Sequence, residues 1–130
     1  MDSYEIVWHD RLLIGEPTVD AQHKRLIAMI AGVSERAGHD DAVLLDAVLD
    51  YAATHFADEE HLMRRIGYPG LAAHVNSHKR LTRILIAYHK EYLEGKRDLY
   101  AFKNFMFSWV RDHIMDEDRE IGLFIQQHRP

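Results

Sequence analysis

Ten histidines and no cysteine in 130 residues leave any metal chemistry of this chain to imidazole and carboxylate donors. Two of the histidines and three acids share one heptapeptide, His55-Phe56-Ala57-Asp58-Glu59-Glu60-His61. Within it His55 and Glu59 stand four residues apart, as do His74 and His78 further on. Pairs at that spacing project from one face of a helix, a turn apart, and can chelate one ion or line a site for two. His23 and His113 fall in helical stretches of their own, at positions where Leu or Ile would be expected. A buried ring or carboxylate without a partner is costly, so five inward histidines and an inward glutamate need a common partner.

The elements that carry them follow from hydrophobic periodicity. Residues 1–18 lack it, contain Gly15 and Pro17, and read as an irregular arm packed through Trp8, Leu12, Leu13 and Ile14. A first helix is predicted from about Asp20 to Ala37, with His23 in a stripe of Val19, Leu26, Ile27, Ile30 and Val33, and Gly38 as its stop. The second begins near Asp40 or Asp41, carries Leu45, Val48, Ala52, His55, Glu59 and Leu62 inward, and ends at Gly67-Tyr-Pro-Gly70. The third runs from near Leu71 to Gly95 with His74, Val75, His78, Leu81 and Leu85 inward. The fourth opens after Asp98 and turns Phe102, Met106, Trp109, His113, Glu120 and Ile121 inward. Short connections make sequential helices antiparallel neighbours, which predicts an all-α, up-down-up-down antiparallel four-helix bundle forming one domain, arm 1–18 and bundle 19–127.

Depth along the bundle supports a shared site. Counted from the connecting turns, His23 matches His55, Glu59 matches His78, and His78 matches His113, each to within about one residue or ~1.5 Å of rise. His89 lies about 16 Å along the axis from His78, and His61 is rotated by about 240° from His55. These two, with His9 in the arm and His39 and His128 at chain turns or ends, read as structural or surface residues. Spacing alone favours Glu117, a turn after His113, as the fourth helix's carboxylate; Asp118 is rotated by about 140°, and Asp116 and Glu120 lie near.

The segments VDAQHKRL (19–26), HFADE (55–59), HVNSH (74–78) and HIMDED (113–118), in this order, resemble the hemerythrin family. The resemblance implies two non-heme irons per chain, Fe2+/Fe3+, joined by a hydroxo or oxo bridge. It implies His74, His78 and His113 on one iron, His23 and His55 on the other, and Glu59 and Asp118 bridging. Asp118 thereby displaces Glu117, and a helix distortion near 113–118 would reconcile its spacing. Asp58, Glu60 and His61 are left as a solvated face. One coordination position stays open, on the iron held by His23 and His55, where O2 would bind reversibly for transport, storage or delivery to an oxygen-consuming enzyme. No protein side chain is then catalytic, and any peroxidase-type side activity is weak. Apolar Leu26, Ile27, Phe56 and Trp109 would exclude water. The alternatives are a di-iron peroxidase or oxidase, a nitric-oxide-handling protein, an iron store, or an O2 sensor acting through a separate chain.

The bulk composition agrees. At 47% hydrophobic and 28% charged residues the chain has a globular balance, and a net charge of −5 argues against a nucleic-acid or anionic-membrane surface. The start, MDSYEIVWHD, shows no signal peptide, and no apolar run approaches the ~18 residues of a membrane span. A cytoplasmic protein, compatible with a monomer, is expected.

Overall fold

Four rods arise where the chain has apolar stripes at helical spacing and end where glycine or a cap interrupts them. The computed structural model describes residues 6–33 and 41–128. Its helices are α1 (Pro17–Gly32), α2 (Asp41–Ile66), α3 (Leu71–Leu93), α4 (Leu99–His113) and α5 (Arg119–Gln127). A π-helical turn, Ile114–Asp118, joins α4 to α5, so these three segments form one fourth rod. No strand occurs among the described residues. In order round the bundle, α1 packs on α2, α2 on α3, α3 on α4 and α4 back on α1.

Helix ends are set by local chemistry. Gly67 and Gly95 adopt left-handed φ values of 70° and 75°. Around each, two backbone bonds close the preceding helix: Tyr68 N–H to Met63 O (2.9 Å) with Gly67 N–H to Arg64 O (3.2 Å), and Lys96 N–H to Glu91 O (2.8 Å) with Gly95 N–H to Tyr92 O (3.0 Å). This paired arrangement satisfies carbonyls that the helix end would otherwise orphan. Asp98 caps α4 by accepting the Ala101 N–H. The predicted boundaries at Ala37, Gly38 and Asp40 lie outside the described residues.

The first helix departs from expectation. It starts at Pro17, three residues before Asp20, because proline has no N–H to satisfy at the first helical position. Glu16 caps it, accepting from the N–H groups of Thr18 (2.9 Å) and Val19 (3.3 Å). Asp20 is buried and reaches back to accept from Ile14 N–H (2.8 Å) and Gly15 N–H (3.1 Å), clasping the arm. The arm contains a 3-10 turn, Asp10–Leu12, and buries Leu12 and Ile14, with Trp8 half-buried. Leu13, expected to pack inward, is exposed because its neighbours on either side face the bundle.

The core runs along the inner stripes of all four rods, with Ile27, Leu45, Met63, Leu81, Phe102 and Ile121 almost wholly buried. Lys103 is buried and donates to the carbonyls of Val33 (2.6 Å) and Ala31 (3.3 Å), tying α4 to the end of α1. Glu120, expected inward, is exposed: once Asp118 faces the core, a residue two places on lies about 200° round the helix. No described helix is long and apolar enough to cross a membrane.

Candidate metal centre

The stripe residues that interrupt the apolar core meet at one level of the bundle. His23 comes from α1, His55 and Glu59 from α2, His74 and His78 from α3, and His113 and Asp118 from the fourth rod, and all seven are buried. Glu59 and Asp118 are 0% exposed. The histidines form two groups. In one, the rings of His74, His78 and His113 lie 4.6–5.1 Å apart between centroids; in the other, His23 and His55 lie 4.7 Å apart.

Each carboxylate divides its two oxygens between the groups. Glu59 Oε1 lies 2.9 Å from His74 Nε2 and 3.1 Å from His78 Nε2, whereas Oε2 lies 3.5 Å from His55 Nε2 and 3.7 Å from His23 Nε2. Asp118 Oδ1 lies 2.9 Å from His74 Nε2 and 3.1 Å from His113 Nε2, whereas Oδ2 lies 3.0 Å from His23 Nε2. Two sets of donor atoms result, each compact enough to hold one ion: Glu59, His74, His78, His113 and Asp118, and His23, His55, Glu59 and Asp118.

The π turn puts Asp118 in place. The Arg119 N–H bonds to the Ile114 carbonyl five residues back, which widens the helix by one residue. Asp118 therefore returns to the face of His113 despite its i+5 spacing. Glu117, the residue favoured by spacing, stays on the outer side and accepts from His113 Nδ1 at 3.1 Å.

The residues present fit a metal. Several buried atoms at the centre have no hydrogen-bond partner among the described residues: His23 Nε2, His113 Nε2, Glu59 Oε2 and both oxygens of Asp118. They sit at close range, yet His23 Nε2 and His113 Nε2 make no properly directed bond to Asp118, as expected of donors aimed at a common point. The acidic pair also demands positive charge. Burial and the neighbouring Asp118 charge oppose ionisation of Glu59, but the facing rings of His23, His74 and His78 outweigh them and lower its pKa to about 2. Burial likewise opposes ionisation of Asp118, and His113, His23 and His74 hold it well below its ordinary value. In return, despite burial, the carboxylates raise His23 and His74 to about 9 and His113 to about 10. Burial dominates at His55 and pushes it down to about 4. Without a metal, protons balance the acids; with one, a cation would.

A second layer orients the rings. Asp58 Oδ2 accepts from Gln22 Nε2 at 2.8 Å, which directs the amide oxygen of Gln22 to His55 Nδ1 at 2.7 Å. Because that oxygen can only accept, His55 carries its proton on Nδ1 and leaves the Nε2 lone pair to the centre. Glu60 accepts from His78 Nδ1 at 2.8 Å and fixes the same tautomer. Glu60 is therefore half-buried and structural to the site, a correction to its reading as part of the solvated face; Asp58 and His61 are exposed. Phe56 stacks on His78 (4.1 Å, 13°) and Trp109 on His113 (4.7 Å, 13°). Gln22, Glu60 and Glu117 were missed as ring partners by periodicity, although each directly flanks an inward donor in sequence.

The remaining histidines stand apart from the centre. His9, His61 and His128 are exposed, and His89 is half-buried beside Asp46, 3.0 Å away. His39 lies outside the described residues.

An all-helical bundle with a buried imidazole–carboxylate cluster drawn from every rod belongs to the class of bundle proteins whose core could hold metal ions. The family profile described as Hemerythrin HHE cation binding domain matches residues 15–123. The chain is 32% identical over 127 residues to a bacteriohemerythrin of Stenotrophomonas maltophilia (strain R551-3), covering 95% of this chain and 83% of that one. It is 31% identical over 117 residues to a bacteriohemerythrin of Pseudomonas aeruginosa (strain LESB58), covering 87% and 76%. A crystal structure of wild-type hemerythrin superposes with a TM-score of 0.79 at 26% identity, covering 89% of this chain and 94% of that one. The chain belongs to the hemerythrin family. Membership supports a di-iron, O2-binding protein.

Proposed function

We propose that the chain binds O2 reversibly at a pair of non-heme irons and serves as a carrier, a store or a source of O2 for an oxygen-consuming enzyme. In this reading His74, His78 and His113 hold one iron and His23 and His55 the other. Glu59 and Asp118 span both, and the whole works as one hemerythrin-like domain. The observation that carries it is the division of both buried carboxylates' oxygens between a three-histidine and a two-histidine group. When bound, a reduced iron pair supplies two electrons to O2 and recovers them on its release.

The chain's own residues favour carriage. Five neutral imidazoles against two carboxylates give a donor set with little negative charge, which disfavours the high iron oxidation states of oxygen-activating enzymes. Leu26, Ile27 and Phe56 are buried beside the cluster and keep water and reductants from it. The two-histidine group contributes fewer donors, so an ion held there would have more room for a small ligand.

The test is to reduce iron-loaded protein anaerobically, then add and remove O2 through several cycles while following iron content and the visible spectrum. Two irons per chain and an absorption band that returns in every cycle are expected. A band that decays irreversibly after one exposure would overturn carriage in favour of a peroxidase or oxidase. His55→Ala abolishes the band, whereas His89→Ala leaves it intact.

A further inference from the structure

The outward nitrogens of His78 and His113 face partners of a different charge from the partner of His55. On the three-histidine side, His78 Nδ1 donates to the Glu60 carboxylate at 2.8 Å and His113 Nδ1 to the Glu117 carboxylate at 3.1 Å. On the two-histidine side, His55 Nδ1 donates to the neutral amide of Gln22 at 2.7 Å. His23 Nδ1 is buried with no hydrogen-bond partner among the described residues. The second oxygen of Glu60 lies 3.9 Å from the guanidinium of Arg64, which is mostly exposed, so that pair counters its charge only weakly.

An anionic acceptor draws the Nδ1 proton toward itself and makes the ring a stronger donor through Nε2; an amide does so far less. Resting on the di-iron reading above, we infer that Glu60 and Glu117 are positioning residues that tune the centre's redox balance, acting through His78 and His113 to make the three-histidine half the more electron-rich. The two-histidine half keeps a neutral second layer. Stronger donation at the first half stabilises its oxidised ion, so it lowers the reduction potential of the pair and strengthens O2 retention. Gln22 keeps the other half a weaker donor. The balance of the two layers, rather than the donor set alone, sets how readily electrons leave the pair and return to it.

Glu60→Gln and Glu117→Gln keep an oxygen that can accept from Nδ1 and remove only the charge. A role confined to holding the ring leaves both variants with the wild-type potential. The inferred role raises the midpoint potential of each iron-loaded variant, measured by spectroelectrochemical titration, and speeds O2 release. Gln22→Glu combined with Asp58→Asn, whose amide can donate to the carboxylate oxygen standing where the Gln22 amide nitrogen now lies, shifts both in the opposite direction. If one variant fails to retain iron, the other two carry the comparison. Potentials that stay at the wild-type value, or fall in the glutamine variants, would overturn the inference. Wild-type protein that holds no iron pair would instead sink the underlying reading, and with it the tuning, while irreversible O2 uptake with shifted potentials would sink carriage alone.

Discussion

Glu59 is the residue on which both halves of the centre depend, since each of its oxygens faces a different histidine group. Glu59→Gln keeps the volume and loses the shared charge. Iron affinity, measured by competition with a chelator, should fall by more than the roughly 10- to 100-fold typical of outer-layer losses. Protonation makes a second expectation. His23 and His74 rise to about 9 and His113 to about 10, so the stability they give the metal-free protein is complete below the ordinary 6.5 and lost as pH climbs through those values. His55, lowered to about 4, works in reverse and weakens the fold as pH falls below 6.5. Glu59, at about 2, adds a further loss in stronger acid. Chemical denaturation of metal-free protein across pH should therefore show greatest stability near pH ~6.5. Loading with iron should release protons, measurable by calorimetry in buffers of different ionisation enthalpy. That the five buried histidines would meet was legible in the sequence because a histidine in an apolar stripe is conspicuous. Gln22, Glu60 and Glu117 were not, because on a helical wheel they look like ordinary surface residues.

At the scale of elements, the arm is held to the bundle by two close fits. Gly122 lies so near the arm that a Cβ there would stand 1.9 Å from the Ile14 carbonyl oxygen. Gly122→Ala should push the arm away at a cost of about 1–3 kcal/mol and lower Tm by several degrees, with iron content unchanged. Asp20→Ala strands two backbone N–H groups and should cost a similar amount, about 1–3 kcal/mol, in the same thermal melt. Three helix boundaries were readable from Gly67, Gly95 and Asp98, whose conformations or caps act locally. The start of α1 was not, because Asp20 resembles a cap and in fact clasps the arm. The π turn escaped periodicity altogether: a stripe counted at about 100° per residue has no mark for one extra residue, so spacing favoured Glu117. Only the likeness of HIMDED to a known family motif pointed to Asp118.

Taken whole, the molecule is a bundle that surrenders the middle of its core to the seven polar side chains of the centre, five of them imidazoles. Buried polar groups are tolerated when they share a partner, so the metal-free protein should melt at a lower temperature than the iron-loaded one, by an amount that grows with free iron. A differential scan with and without chelator checks this; equal melting temperatures would mean that the cluster satisfies itself. The central claim is that two ions share Glu59 and Asp118, and electron paramagnetic resonance of the one-electron-reduced, iron-loaded protein tests it most directly. Ions joined by common ligands couple their spins, which predicts one half-integer signal accounting for two irons per chain. The resonance of an isolated ferric ion, or a stoichiometry of one, would contradict it.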